Sequence, residues 1–381
     1  MADVNPIEPG DVLLHVGLHK TGTTALQVAL ADARTDLAAH GVRYPGTGTF
    51  HHRAILAGAD RKYGWQNNGA REVPRKHWDE LLAESAFDGR TVVSSEFLDD
   101  VDEATARRMI DDLGGPQRVR VVVTLRAIGA ILPSAWQQRL KAGYTSGYNQ
   151  FLKMVFAEQP TGKAQRFWFR HDQVAQVQRW AEIVGADRTY AVIIPAGDRR
   201  AIFSAFEALL GLPDGMLADR KIAIQNRSMT AAEAEFVRRL NKEVADELSW
   251  DEYTRTVRRG LVLNMVEQRQ PGPDEQKITT PGWAADRAAE YGQRFADGVA
   301  ASGVHVIGDP QELARRPASG KNEKQGYLTM DAAVAGAAGL VRRSTVTAAA
   351  PSRSEALKIL LRRPGRAKSA AQAADPEVEQ P

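Results

Sequence analysis

Short apolar runs rich in β-branched residues recur along the chain, and stretches with helical periodicity separate them. Runs that stay apolar throughout are typical of strands covered on both faces, and therefore of parallel sheet. Between the first two runs, residues 23–41 place Leu26, Leu30 and Leu37 on one stripe of a predicted helix. The alternation predicts an α/β fold with a central parallel sheet flanked by helices. The predicted strands are Val12–Val16, Thr91–Ser95, Val119–Leu125, Thr189–Ile194 and Val304–Ile307.

The composition changes near residue 316, where the apolar pattern fades and Ala, Ser, Pro, Arg and Gln dominate. We therefore predict one α/β domain over residues 1–316 and a largely disordered tail over residues 317–381, with a short helix at Glu355–Arg363. Two segments of the domain, residues 140–180 and 221–292, break the strand–helix rhythm and are predicted to shape a substrate pocket.

The net charge of +3 is unevenly distributed. Residues 311–381 carry 12 basic and seven acidic side chains, which leaves the rest of the chain near −2 and argues against nucleic-acid binding by the folded part. The basic stretch 341–368 is predicted to be a solvated tail, with contact to an anionic membrane surface or an acidic partner as the alternative. The chain has no cysteine, which excludes disulfides, thiolate metal sites and cysteine nucleophiles. No signal-peptide pattern opens it, so we expect a cytoplasmic protein.

A polar loop follows the first predicted strand and reads GLHKTGTT over residues 17–24. A phosphate held there would meet the N-terminus of the next helix, with its backbone N–H groups and the positive end of the helix dipole. Gly17 and Gly22 allow a close approach, Lys20 supplies a full charge and the threonines supply hydroxyls. The common ATP/GTP loop places its lysine after the second glycine, whereas Lys20 precedes it. The loop is predicted to bind a phosphate, with an ordinary strand–helix turn as the alternative.

A second phosphate-binding pattern lies at the end of the third predicted strand. Arg126 closes that strand, and Ser134 follows eight positions later. A planar guanidinium can bond two phosphate oxygens, and a serine hydroxyl can donate a third bond. A surface salt bridge is the alternative role for Arg126. Two such sites on neighbouring strand ends of one sheet predict a ligand with two separate phosphates.

Together the two patterns resemble those of sulfotransferases that use 3′-phosphoadenylyl sulfate (PAPS), in particular a bacterial branch, over roughly residues 10–310. The resemblance implies a P-loop-like three-layer fold, PAPS as sulfuryl donor, adenosine 3′,5′-bisphosphate (PAP) as product and no metal. It implies that the loop grips the 5′-phosphate, with Lys20 stabilising it as it leaves, and that Arg126 and Ser134 bind the 3′-phosphate. The acceptor would be a hydroxyl or amine of a small molecule, a glycan or a lipid. The implied donor-binding residues are Gly17, Lys20, Thr21, Gly22, Thr23, Thr24, Arg126 and Ser134.

The general base that takes the acceptor's proton is predicted at the end of the second strand, where the sequence reads VVSSEFLDD over residues 92–100. In the family this strand end carries the base, a histidine or a glutamate, and here Glu96 occupies it. The alternative is that Glu96 helps to cap the helix that follows, with Ser95 as its N-cap.

Three further residues are candidates for the acceptor site. His51 and His52 lie in one predicted loop, where either can act as the base in place of Glu96, bind the acceptor or lie on the surface. Trp136 follows Ser134 on a predicted helix and is a candidate floor of the acceptor or nucleotide pocket, with the core as its alternative place. His19, beside the loop lysine, is predicted to have a structural role.

Two other functions stay open from the sequence alone. A P-loop kinase or NTPase shares the broad architecture, but the position of Lys20 and the lack of a clear strand ending in a Walker-B aspartate count against it. A non-catalytic nucleotide-binding protein would keep the same fold without the base. Because both phosphate patterns are intact, the sequence favours the enzyme.

Overall fold

The structure, a computed structural model, describes residues 4–65, 68–198, 200–220, 227–320 and 327–345. Its strands are β1 Val12–His15, β2 Val42–Arg43, β3 Tyr63–Trp65, β4 Asn68–Arg71, β5 Arg90–Ser94, β6 Val119–Leu125, β7 Thr189–Ile193 and β8 His305–Ile307. Six of them form one sheet in the order β2-β5-β1-β6-β7-β8, with every neighbouring pair parallel. β3 and β4 form a separate antiparallel hairpin. The predicted α/β fold with a central parallel sheet is confirmed, and each predicted strand is present.

Helices cover this sheet. The α-helices are α1 Thr23–Asp32, α2 Arg34–Ala39, α3 His52–Gly58, α4 Lys76–Ser85, α5 Glu103–Asp112, α6 Ile128–Leu140, α7 Tyr148–Val155, α8 Lys163–His171, α9 Gln173–Val184, α10 Ala201–Leu210, α11 Ala231–Val244, α12 Trp250–Tyr253, α13 Leu263–Glu267, α14 Gly282–Ala300 and α15 Met330–Thr345. Short 3₁₀ helices lie at Glu96–Asp100, Ala186–Arg188 and Pro310–Ala314, and a π-helix spans Thr254–Val262. Among the described residues, no helix combines the length and apolarity needed to cross a membrane.

Consecutive residues of β6 point into two different cores. Val122 packs in a cluster with Leu13 of β1 and with side chains of α1 and α10. Val121 and Val123 belong to a second cluster, which includes side chains of α5, α6 and α9. Because helices cover both faces, every β6 position except the partly exposed Arg120 is buried, and this explains why the strand is apolar over most of its length.

The position of β1 brings together the loops that follow β1, β5 and β6. β1 lies between β5 and β6, and its last residue, His15, is in register with Ser94 of β5 and Val122 of β6. Since all three strands run parallel, the segments that follow them leave the sheet side by side at its carboxyl edge.

The C-terminal segment departs from the sequence prediction. Residues 330–345, predicted to lie in a disordered tail, form α15, which packs on the π-helix and buries Ala332 completely. The two helices touch at Gly339 and Gly260, where a Cβ on Gly339 would clash with the Gly260 carbonyl oxygen. The small residues that suggested low complexity are thus what permits close helix packing, and α15 belongs to the folded body. Residues 346–381, including the predicted helix Glu355–Arg363, lie outside the described residues.

Candidate functional site

A cleft of ≈ 2360 Å³ opens at the carboxyl edge of the sheet. The segments after β1, β5, β6 and β7 all contribute to its lining, through residues 19–25, residues 96–97, Arg126 and residues 194–195. Open parallel sheets bind ligands at this edge, because the loops there are free to vary while the strands hold them in place. We therefore take this cleft as the candidate functional site.

The lining of the cleft is strongly basic. It includes 18 Lys and Arg residues against four Asp and Glu residues, which are Glu72, Glu96, Asp198 and Asp251. The sequence placed the basic character in the tail, because charges summed over the whole body hide a local excess. A cleft with this charge distribution attracts an anionic ligand.

The loop after β1 turns sharply into α1. Lys20 has a φ of 72° and Gly22 a φ of 103°, and Gly22 precedes α1 without any side-chain cap on its N-terminus. The Lys20 conformation is one that favours glycine, and it costs of order 1 kcal/mol or more in another residue. Such conformations persist where surrounding contacts hold them, commonly at ligand sites. The uncapped helix start beside a lysine has the properties of an anion-binding loop.

The hydroxyl groups of the loop divide into two sets. Thr21 is buried and donates to the Leu18 carbonyl at 2.6 Å, so its side chain holds the loop together. Thr23 is also buried and lies 3.4 Å from the same carbonyl. Thr24 is half-buried and lines the cleft. A Cβ on Gly17 would come within 3.1 Å of Glu96, so the glycine allows the start of the loop to pack closely against Glu96.

Lys20 is held in place inside the cleft. Its ammonium donates to Gln138 Oε1 of α6 at 2.9 Å. Burial, together with the neighbouring positive charge of Lys141, lowers the pKa of Lys20 to about 8, while Glu96 opposes the shift. Both lysines are half-buried and line the cleft, and two neighbouring ammonium groups repel each other without an anion, so the pair is well suited to a phosphate. Neither Gln138 nor Lys141 was assigned a role from the sequence.

The second predicted phosphate pattern meets the first. Arg126 Nη1 donates to the carbonyl oxygen of Lys20 at 3.4 Å, and Gln173 donates to the Arg126 carbonyl at 2.7 Å. Ser134 is half-buried on α6 and lines the same cleft. The structure therefore brings Lys20, Arg126 and Ser134 to one cleft.

Glu96 begins the 3₁₀ helix that follows β5 and also faces the cleft. Ser95 is the N-cap of this helix, because its hydroxyl accepts from the Phe97 N–H at 3.3 Å, so the capping role belongs to Ser95. The Glu96 carboxylate accepts from Gln27 Nε2 at 3.3 Å and lies 3.8 Å from His52 Nε2. Burial raises the pKa of Glu96, but the His52 and His19 rings and the Gln27 amide outweigh it, and the net shift is downward.

The two adjacent candidate histidines have opposite environments. His51 is buried, with Nε2 donating to the Pro45 carbonyl at 2.9 Å and Nδ1 accepting from the Ser94 N–H at 3.1 Å. Burial lowers the pKa of His51 to about 4, so this ring is a neutral structural element away from the cleft lining. His52 lines the cleft and contacts the Ser95 hydroxyl through Nδ1 at 3.0 Å.

Trp136 occupies the core position that the sequence left as the alternative. Its ring is 4% exposed and packs against Tyr148, with the centroids 5.3 Å apart. Its indole N–H donates to the Ser146 carbonyl at 3.1 Å. The tryptophan therefore supports α6 from behind, and the cleft-facing positions of that helix are Ser134, Gln137 and Gln138 among others.

A histidine–aspartate pair that sequence reasoning missed borders the cleft. Asp99 is completely buried, and its Oδ2 atom accepts from His19 Nδ1 at 2.5 Å and from the His19 backbone N–H at 3.0 Å. The interaction fixes the ring of His19 and anchors the loop that carries Lys20. No motif pairs these residues, because they lie 80 positions apart.

Arginines that carried no assigned role gather on the other side of Glu96. Arg61, Arg166 and Arg170 all bond one oxygen of Asp100, at 2.7, 3.0 and 2.5 Å. Burial raises the Asp100 pKa, but the contacts to Arg170 and Arg61 hold it well below its usual range. Two of these arginines come from the segment 140–180, which was predicted to shape a pocket.

The described residues contain no group of three or more His, Cys, Asp or Glu side chains arranged to hold a metal ion. The chain matches no protein-family model and no curated protein. Among solved structures it is similar to the crystal structure of a sulfotransferase from Alicyclobacillus acidocaldarius, with a TM-score of 0.39 and 17% sequence identity over 65% of this chain and 99% of that one. A likeness this distant does not decide the function, which therefore has to rest on the residues of the cleft.

Proposed function

We propose that the protein is a PAPS-dependent sulfotransferase, which transfers a sulfuryl group to a hydroxyl or amine of a small-molecule, glycan or lipid acceptor. The observation that carries this proposal is the meeting of two phosphate-binding patterns in one basic cleft. Arg126 lies against the backbone of Lys20 at 3.4 Å, yet the two residues come from different strand ends. A nucleotide with both a 5′- and a 3′-phosphate requires two such adjacent sites.

The residues present fit this donor. The uncapped start of α1 and the half-buried pair Lys20 and Lys141 suit the 5′-phosphate side, because an anion there offsets the repulsion between the two ammonium groups. Arg126 and Ser134 supply a planar donor and a hydroxyl for the 3′-phosphate. The loop lacks the lysine position of ATP and GTP loops, which counts against a kinase or NTPase.

The donor, when bound, supplies the sulfuryl group and a phosphate leaving group. Lys20 places positive charge where negative charge grows on the bridging oxygen as the bond between sulfur and that oxygen breaks. Gln138 accepts a hydrogen bond from Lys20 and so orients the ammonium. The leaving nucleotide keeps the bonding electron pair, while the acceptor's oxygen or nitrogen forms the new bond to sulfur.

Glu96 takes the proton that the acceptor loses in this step. Its pKa is shifted downward, so the carboxylate is ionised at neutral pH and available as a proton acceptor from the start. Gln27 and His52 hold it at the cleft wall. The proton then passes to solvent, which returns the site to its initial charge.

Ligand-dependent thermal stability tests the donor assignment. PAP without magnesium should raise the melting temperature of the full chain, because a ligand at a hundred times its Kd stabilises the folded state by about 2.7 kcal/mol. ATP with magnesium should have a much smaller effect. The reverse order would favour a kinase or NTPase, and no response to either nucleotide would contradict the proposal. Stabilisation by PAP without any cleavage of PAPS would leave a non-catalytic nucleotide-binding protein.

A further inference from the structure

Four arginines form a second basic region of the cleft, separate from the residues that suit the donor. We call Arg61, Arg139, Arg166 and Arg170 the arginine cluster; all four line the cleft. Arg61 follows α3, Arg139 lies on α6, and Arg166 and Arg170 lie one turn apart on α8. The cluster is therefore assembled from three separate parts of the chain.

The cluster carries more positive charge than its own contacts neutralise. Three of its guanidinium groups share a single carboxylate oxygen of Asp100, and Asp99 is the other carboxylate whose charge acts on Arg170. Four arginines against two aspartates leave a net charge of +2. Burial lowers the pKa of Arg139, Tyr144 opposes the shift, and the neighbouring charges of Arg170 and Arg166 lower the pKa further.

The cluster also has hydrogen-bonding capacity to spare. A guanidinium has five N–H donors. Arg61 uses two of them on Asp100, Arg166 and Arg170 use one each, and Arg139 instead donates one to the Lys163 carbonyl. The Nε atom of Arg170 is buried and has no hydrogen-bond partner among the described residues. A buried donor without a partner costs free energy. The Arg61, Arg166 and Arg170 side chains are 32%, 44% and 25% exposed, so other N–H groups of these guanidiniums can reach an oxyanion in the cleft.

The cluster stands next to the proposed reaction centre. Asp100 is the last residue and Glu96 the first residue of the same 3₁₀ helix, which separates them by about 8 Å along its axis. The buried His171 ring senses both regions, because burial first and then the charges of His19, Arg170, Lys20 and Arg139 hold its pKa well below the usual value. One small molecule that spans this distance can therefore contact the cluster and Glu96 at the same time.

We propose that the arginine cluster binds an anionic group of the acceptor, a carboxylate, phosphate or sulfate, while the acceptor's hydroxyl or amine lies at Glu96. This inference rests on the proposed function, since it names the class of acceptor for that same site. Planar guanidiniums bind oxyanions in a bidentate manner, and this geometry fixes the orientation of the acceptor as well as its affinity. A neutral acceptor would leave the repulsion within the cluster uncompensated.

Calorimetric titration of the full chain saturated with PAP tests this inference. The carboxylate probe is tetragalacturonate, and its methyl ester serves as the uncharged counterpart with the same sugar rings. The phosphate probe is inositol hexakisphosphate. Because PAP already fills the donor site, a probe that binds must occupy another part of the cleft. At least one charged probe should bind. If the acceptor carries carboxylates, tetragalacturonate should bind at least tenfold more tightly than its ester. Selective binding of the phosphate probe would instead identify a phosphate or sulfate group.

Two matched variants localise the binding. Arg166→Gln should lower the affinity for the charged probe by about tenfold, since a charge-assisted contact is lost. Arg107→Gln removes the same charge from an exposed arginine outside the cleft lining, with side-chain exposure of 46% against 44% for Arg166, and should change nothing. Three results would overturn the inference. Neither charged probe binds; or tetragalacturonate binds no better than its ester and the affinity for the phosphate probe is unchanged by Arg166→Gln; or the two variants lose affinity equally. Failure of PAP itself to bind is a separate result, which would overturn the proposed function and this inference with it.

Discussion

The two basic sides of the cleft are built in different ways. On the proposed donor side, Lys20 lies in the loop after β1, Arg126 directly follows β6, and Ser134 lies on the next helix, α6; the residue order of these short segments predicts phosphate binding. The arginine cluster draws on three distant segments and has no recognisable order. A site within one short segment shows in the local residue order, whereas a site assembled from distant side chains does not. The proposed donor site could therefore be predicted from the sequence, and the proposed acceptor class could not.

The largest effect is expected at Glu96, which lines the cleft at the start of the 3₁₀ helix that ends at Asp100. Glu96→Gln keeps the shape but cannot take a proton, so turnover should fall by roughly 10² to 10⁴. PAP affinity should hardly change, because the carboxylate does not contact the phosphates in the proposed arrangement. Single-turnover cleavage of PAPS and PAP titration measure the two quantities.

The surface variant Glu103→Gln, which removes a carboxylate paired with Arg107, is the control for the loss of charge. Near-normal cleavage in Glu96→Gln would remove Glu96 from the mechanism. His52 and His19 would then be the candidate bases, since both line the cleft.

Lys20→Ala should act mainly on the rate and belongs entirely to the donor side. Cleavage of PAPS should slow by about 10² to 10³, the usual loss when one group that stabilises transition-state charge is removed. The affinity for PAP should fall much less, because Lys20 meets more charge in the transition state than in the product complex. Equal losses in rate and in PAP affinity would mean that Lys20 only anchors the nucleotide.

The pH dependence of binding should separate the two sides. The pKa of Lys20 is about 8, so above that pH Lys20 is mostly neutral in the free protein. It must then take up a proton before it can bind PAP as a charged ammonium. PAP affinity should therefore fall by up to about tenfold per pH unit above pH 8, and this fall should disappear in Lys20→Ala. Guanidinium groups stay charged throughout, so binding of the charged acceptor probe should stay constant to about pH 10. A parallel fall for both ligands would mean that they share a site.

The smallest effect is expected from the helix α15, which supports the donor side indirectly. α15 packs on the π-helix. Burial lowers the pKa of Lys141, and the charge of Arg258 on that π-helix lowers it further. Gly339→Ala would push the two helices apart, with a loss of about 1 to 3 kcal/mol in the free energy of unfolding and a few-fold loss in PAP affinity.

Gly282→Ala is the matched control for α15, because its new Cβ would meet nothing within 4 Å. Chemical unfolding measures the stability of both variants. If Gly339→Ala were as stable as the control, α15 would not be part of the folded body, and the tail predicted from the sequence would be restored.

Neighbouring residues show where sequence reasoning reached its limit. His51 and His52 share one short segment and were assigned the same roles, but only His52 faces the cleft. The choice between them depends on how the start of α3 packs, since the His51 ring accepts a hydrogen bond from the backbone of β5. The same applies to Trp136 and Ser134, which lie two residues apart on α6 and point to the core and to the cleft.

The sequence by itself determined the parallel sheet, the loop with Lys20, the strand-end Arg126 with Ser134, and the position of Glu96. Each of these depends on residues close together in the chain, so the local strand–loop–helix geometry is enough to specify it. Only the tertiary structure decided that His19 pairs with Asp99, that arginines from three segments share Asp100, and that α15 packs on the π-helix. These contacts join segments far apart in the chain, and no pattern within one segment names the partner it will meet.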